Sequence, residues 1–194
     1  MNTNIVIGIC GHGRSGKDTF CGIAKNFLSK KKVAAARVAF ADEIKRDLDS
    51  VCRHNIGFSA FTEDSDQKKL IRPLLVAYGT DVIRQMDEDW WINRLEHKLP
   101  LYFGQGIIPV VTDVRYPNEM EWIQNKNNGI CIYVNRIGIK AANSEEAKYN
   151  PILKKNCDFS ISWPTFGDED ALEKGSPYVR KVMNPLFKKF INTK

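Results

Sequence analysis

Near the N-terminus, Gly11-His12-Gly13-Arg14-Ser15-Gly16-Lys17-Asp18-Thr19 has the residue types and spacing to hold a chain of phosphates. Glycine admits φ values that side chains resist, so successive N–H groups can converge on one cluster of anionic oxygens. A helix starting there adds unpaired N–H groups and a partial positive charge. Lys17 reaches the β and γ oxygens as a mobile point charge. The pattern G-x-x-x-x-G-K-[ST] is met at Gly11, Gly16 and Lys17, and is broken by Asp18, with Thr19 one residue later. The hydroxyl usual at that position binds magnesium. Here the metal is expected on the Asp18 carboxylate, on Thr19, or through water.

Further chemistry sits where apolar runs stop. Ile108-Pro109-Val110-Val111-Thr112-Asp113 ends on a carboxylate suited to magnesium or its waters, with capping of the next turn as the plainer role. Arg115, two residues on, is placed to bridge phosphates. Asp42 and Lys45 follow a second apolar run and could contact a second substrate, although Asp42 is nearly as good a helix cap. Arg72 and Arg84, if one helix spans them, form a clamp for an acceptor phosphate. Trp91, beside Trp90, is a candidate platform for a base, with a core role for at least one of the pair. Arg136 opens a polar stretch, about 136–157, that could close as a lid. Lys17, Asp113, Arg115 and Arg136 are thus the catalytic candidates. Phosphoryl transfer needs positioning and charge neutralisation more than covalent chemistry.

Positioning these groups requires strands that end at them. Ile5 to Cys10, Val33 to Phe40, Ile107 to Thr112, Ile130 to Asn135 and Phe159 to Ser162 read as strands. Between them, Phe20 to Leu28, Glu43 to Val51 with Asp42 as cap, Leu70 to Met86, Trp91 to Leu99 and Pro117 to Asn125 read as helices. Residues 54–66 read as a polar loop, 136–157 as polar and irregular. The stripe Val179, Val182, Met183, Leu186, Phe187, Phe190 and Ile191 reads as a terminal helix docked on the core. This alternation predicts an α/β three-layer sandwich: five parallel strands, helices on both faces, and the ligand at the carboxyl ends of the strands.

The 194 residues, 43% hydrophobic, fit one domain over 1–194, with an acceptor region at about 42–100. No apolar run reaches bilayer-spanning length and no secretion signal opens the chain, so a cytoplasmic protein is expected. Five cysteines without C-x-x-C pairs read as reduced, mostly buried thiols, and three histidines give no zinc spacing. The net charge of +6 suits a handler of nucleotides or nucleic acid.

The order of motifs resembles the bacteriophage deoxynucleoside monophosphate kinases, relatives of the nucleoside monophosphate kinases, over most of the chain. The resemblance rests on Gly11 to Thr19, Phe40-Ala41-Asp42-Glu43-Ile44-Lys45, Arg72 leading into Tyr78-Gly79-Thr80-Asp81 with Arg84, and Trp91. It continues through Thr112 to Glu119, Asn143-Ser144-Glu145 and Asp158-Phe159-Ser160-Ile161. Ala77 stands where that family suggests glutamine, and Asn143 where it suggests histidine. The resemblance carries Asp18 at its position as well. It implies ATP as donor, Mg2+, a (deoxy)nucleoside 5′-monophosphate as acceptor and a diphosphate product, in the host cytoplasm if phage-encoded. It also implies a nucleoside monophosphate kinase-like strand order, with the Asp113 strand beside the cradle strand. Small nucleotides are the expected partners, with a homodimer left open. The rivals are a kinase of dephospho-coenzyme A or phosphomevalonate type, a nucleic-acid-binding module lacking aromatic-basic interleaving, and a loop that binds nucleotide without turnover.

Overall fold

The computed structural model describes residues 1–167 and 169–192. In chain order the elements are β1 (Ile7–Cys10), α1 (Lys17–Lys30), β2 (Ala34–Val38), α2 (Phe40–Asn55), α3 (Ser65–Val76), α4 (Arg84–Met86), α5 (Trp90–Glu96) and α6 (Leu99–Gly104). They continue with β3 (Ile107–Val114), α7 (Pro117–Glu121), β4 (Ile130–Arg136), α8 (Ser144–Asn156), β5 (Phe159–Trp163) and α9 (Ala171–Leu186). π-helical turns at Ala77–Ile83, Trp122–Lys126 and Phe187–Ile191 extend α3, α7 and α9.

All five strands pair in parallel, in the order β2-β3-β1-β4-β5. The strand carrying Asp113 therefore lies beside the strand that feeds the cradle, as expected. Ile5, Ile7 and Ile9 pack with Phe20, Ile23, Ala24 and Leu28 of α1 and with Val179, Val182, Met183 and Leu186 of α9. Successive side chains of a strand point to opposite faces. On the other face a Cβ at Gly8 would meet Ile123 Cδ1 at 2.6 Å and Cys131 Sγ at 2.9 Å. Both faces are covered, which is why these strands read as continuous apolar runs.

The chain divides into two compact units, 1–38 with 99–194, and 39–98. The first holds the sheet and its core. The second is helical. Its interior is Leu48, Cys52, Ala60 and Ile71, flanked by Ile44, Phe58, Leu75 and Tyr78. Its buried carboxylate, Glu43, is met by Arg46 and by Lys98, whose Nζ lies 2.6 Å from each oxygen.

Several expected boundaries move. The second strand stops at Val38, and Phe40 already opens α2 with Ala39 at the N-cap, so Asp42 lies inside the first turn and does not cap it. Residues 136–157 are not irregular throughout. Arg136 ends β4, and 144–156 form α8, capped by Asn143, whose side chain accepts from Glu146 N at 2.8 Å. Only Asn150 and Leu153 of that helix are buried, and Pro151 interrupts its pattern. A helix with so thin an apolar stripe gives little periodic signal.

Four of the five cysteines are buried and none is in a disulfide. Burial raises the thiol pKa of Cys10 and Cys131 far above the usual range and that of Cys21 to about 11. At pH 8 the Cys21 thiolate is then roughly one part in a thousand, and alkylation follows the thiolate. Iodoacetamide at pH 8 is expected to leave Cys10, Cys21 and Cys131 intact in the native protein and to modify all five thiols in guanidinium, as intact mass would read.

Candidate active site

β1 ends at Cys10 and α1 begins at Lys17, and the loop between them carries positive φ at Gly11 (135°), Arg14 (62°) and Gly16 (89°). At Gly11 any Cβ would sit 2.2 Å from Val134 O. At Gly16 it would meet Trp163 Cζ2 at 2.9 Å. Both positions require glycine for backbone conformation and for close approach. The outside of the loop is tied to the ends of the neighbouring strands. Trp163 Nε1 donates to Ser15 O at 2.9 Å, while Arg136 donates from Nη1 to Arg14 O at 3.2 Å and from Nε to Thr165 Oγ1 at 2.9 Å. Arg136 is thus a brace at the end of β4.

Lys17 Nζ donates to Gly11 O at 2.9 Å and His12 O at 2.8 Å, folded over its own loop. Burial, and after it the Arg115 guanidinium, pull its ammonium below the ordinary value. Glu146, Asp113 and Asp18 offset part of that. Lys17, Asp113 and Arg115 therefore share one electrostatic neighbourhood. Asp113 lies within β3, one residue before its end, and is half-buried. The backbone just beyond it is fixed by Glu119, whose Oε2 accepts from Arg115 N at 2.7 Å and Tyr116 N at 3.1 Å.

Glu146 was not anticipated. Its Oε1 accepts from Gly13 N at 3.0 Å, its Oε2 accepts from Ala142 N at 3.0 Å, and Oε2 lies 3.6 Å from His12 Nδ1. Burial acts to raise the Glu146 carboxyl, but those two N–H groups, Arg115 and Lys17 outweigh it and hold the carboxyl below its usual value. Trp163 was also missed, because an apolar residue closing a strand carries no sign of a hydrogen bond made 148 residues away. A small cleft of about 20 Å³ opens beside Gly11, lined by Arg115, Tyr116, Glu145, Glu146 and Asn150.

Phosphate fits this loop. It offers a glycine-shaped concavity at a helix N-terminus, a lysine, and a buried Ser15 hydroxyl that has no partner among the described residues. For magnesium, no group of three or more His, Cys, Asp or Glu side chains converges among the described residues. That suits an ion held by one or two carboxylates plus substrate phosphates. Asp113, near the end of β3 and within electrostatic reach of Lys17, is a carboxylate that could take part. Asp18 is 77% exposed and paired with Arg37 at 3.1 Å.

The residues expected to take an acceptor lie in the second unit. Lys45 Nζ stands 5.5 Å from the centre of the Phe61 ring, Arg84 Nη1 donates to Glu88 O at 3.0 Å, and Arg72 is exposed. Asp42 is half-buried. Trp91 is 3% exposed, with its indole N–H donated to Gly79 O at 2.9 Å. It is an interior residue, and Trp90 at 41% is the exposed member of the pair. Twelve residues of regular helix overshoot three turns by about a third of a turn. The π-helical turn Ala77–Ile83, with more residues per revolution, takes back part of that between Arg72 and Arg84.

A parallel sheet in this order, with a glycine cradle between β1 and α1, defines a P-loop kinase-like fold. No protein-family model and no curated protein sequence matches the chain. Among solved structures the chain is similar to the Mycobacterium tuberculosis APS kinase CysC in complex with AMPPNP and APS, at 12% identity and TM-score 0.50, covering 94% of this chain and 96% of that one. A shikimate kinase from Bacteroides thetaiotaomicron (10%, TM-score 0.46, 93% and 98%) and a gluconokinase from Sinorhizobium meliloti (9%, TM-score 0.44, 98% and 99%) are more distantly similar. Among the described residues no helix is long and apolar enough to cross a membrane.

Proposed function

We propose that the protein is an ATP-dependent phosphotransferase that moves the γ-phosphoryl group to the phosphate of a (deoxy)nucleoside 5′-monophosphate. The observation that carries the phosphotransferase reading is the grouping of Lys17, Asp113 and Arg115 around a glycine-built cradle. An anion nest, a mobile ammonium, a carboxylate for magnesium and a guanidinium are a sufficient set for transfer that depends on position and charge. Magnesium, if bound, would be held by the Asp113 carboxylate and would supply charge neutralisation to the phosphates. Lys17 meets the β and γ oxygens, Arg115 meets the group in transfer, and Arg136 keeps the loop in shape. The nucleotide acceptor rests on the resemblance carried by Arg72, Tyr78-Gly79-Thr80-Asp81 and Arg84, within the second unit.

The test is an ADP-release assay with ATP and Mg2+ against deoxy- and ribonucleoside monophosphates, with dephospho-coenzyme A, phosphomevalonate and adenosine phosphosulfate alongside. Release that depends on deoxynucleotides supports the acceptor. Release with one of the other compounds alone keeps a phosphotransferase and replaces its substrate. Silence throughout, with ATP bound, leaves a binding module. Asp113→Asn is expected to cut turnover by about a hundredfold, with partial relief at raised Mg2+, since one metal carboxylate is lost. Unchanged turnover would remove Asp113 from the metal.

A further inference from the structure

A carboxylate of the chain itself is already seated on a donor of the cradle. Gly13 N–H, a loop donor expected to face phosphate, donates to Glu146 Oε1 at 3.0 Å. The same carboxylate is held from behind by Ala142 N–H at 3.0 Å, its side chain is 13% exposed, and His12 Nδ1 lies 3.6 Å away. A carboxylate presents two charged oxygens to N–H donors much as a phosphoryl group does. The end of the loop it occupies is set by Lys17, whose ammonium rests on the carbonyls of Gly11 and His12 next to Gly13. In a loop of this kind the lysine serves the β and γ phosphates while the N–H groups at the start of α1 serve the inner ones. Glu146 therefore stands at the terminal-phosphate end.

Resting on the nucleotide-donor reading above, we propose that Glu146 determines which nucleotide the cradle favours, by competing with the terminal phosphoryl group of a triphosphate for the Gly13 end of the loop. Two like charges do not share one donor at close range. A triphosphate must displace the carboxylate, whereas a diphosphate seated on the inner N–H groups need not. Displacement is local. Glu146 lies in the first turn of α8, behind the short segment 137–143 that leaves β4, and its withdrawal breaks two backbone hydrogen bonds. The buried Asn150 Oδ1, without a partner among the described residues, lines the small cleft beside it.

Calorimetric titration of ATP and ADP, each with Mg2+ and without acceptor, into the wild type and Glu146→Gln tests this. Glutamine keeps the acceptor oxygen and removes the charge. ATP is expected to bind about tenfold tighter to the variant, the gain for a carboxylate seated about nine-tenths of the time, while ADP affinity changes less than about twofold. Equal gains for both nucleotides, no gain, or a loss of ATP affinity would each overturn the inference. If the glutamine variant unfolds early in a thermal scan, Glu146→Asp, which keeps the charge and shortens the reach, should show the same preference more weakly, and its absence overturns the inference too. A wild type that binds no ATP removes the donor reading itself, a result distinct from a wild type that binds ATP with a preference the substitution does not alter.

Discussion

Lys17→Ala is expected to lower turnover about a thousandfold or more while leaving unfolding cooperative and the midpoint within a few degrees. The ammonium is expected to contribute in two ways. It is the charge placed to meet the β and γ oxygens, and it is held over the loop by Gly11 O and His12 O at 2.9 and 2.8 Å, so little rearrangement precedes its engagement. Burial has already drawn its ammonium below the ordinary value. Charge developing on a phosphoryl group therefore interacts with a poorly hydrated cation, which strengthens the attraction over its value in water. Removal frees two loop carbonyls to meet water, at small cost in stability. Steady-state rates with ATP and the best acceptor, beside a chemical unfolding curve, give both numbers. Turnover within tenfold of wild type would take Lys17 out of the transfer step and with it the phosphotransferase reading.

Gly11→Ala should have the largest effect on stability. At φ 135° the backbone lies where L residues are strained, and the new Cβ would fall 2.2 Å from Val134 O. That oxygen belongs to β4, which pairs with β1 up to Cys10↔Tyr133, so neither strand can retreat without giving up sheet hydrogen bonds. Strain and overlap together are expected to cost about 3 kcal/mol or more, a large part of a stability that is about 5–15 kcal/mol for native proteins. Urea unfolding monitored by circular dichroism measures this. A loss under about 1 kcal/mol would mean that the turn accommodates a side chain and that its shape does not require glycine.

The cradle and the strand bearing Asp113 were readable in the sequence because each is written locally. A turn of Gly11, Gly13 and Gly16 between an apolar run and a helical stripe states its own geometry, and a strand buried on both faces shows as unbroken hydrophobicity. Arg136 was read as a catalytic group opening a lid. It ends a strand and braces the loop, because the point at which β4 stops depends on its pairing with β5, which no local pattern reports. Helix α8 was missed for want of a stripe, and Glu146 with it, since nothing distinguishes a glutamate that meets a loop 133 residues away from one that meets water. Trp91 was visible as an aromatic residue, but its burial depends on how the second unit packs. Side-chain chemistry with a local reason survives reading from sequence, and contacts fixed by topology do not.

The braces on the cradle also bear on the order in which the molecule becomes competent. Ser15 O waits for Trp163, and Arg14 O for Arg136, so the loop's outer support comes from residues translated long after it. Parallel pairings of such sequence separation form slowly, because loop closure precedes the contacts that reward it. During synthesis, β1 and α1 would emerge from the ribosome well before the strands that shape the turn between them. Nucleotide would then act late, stabilising a nearly finished sheet by mass action and giving a growing chain little help. Bound nucleotide would protect the finished protein from unfolding far more than it would speed its first folding.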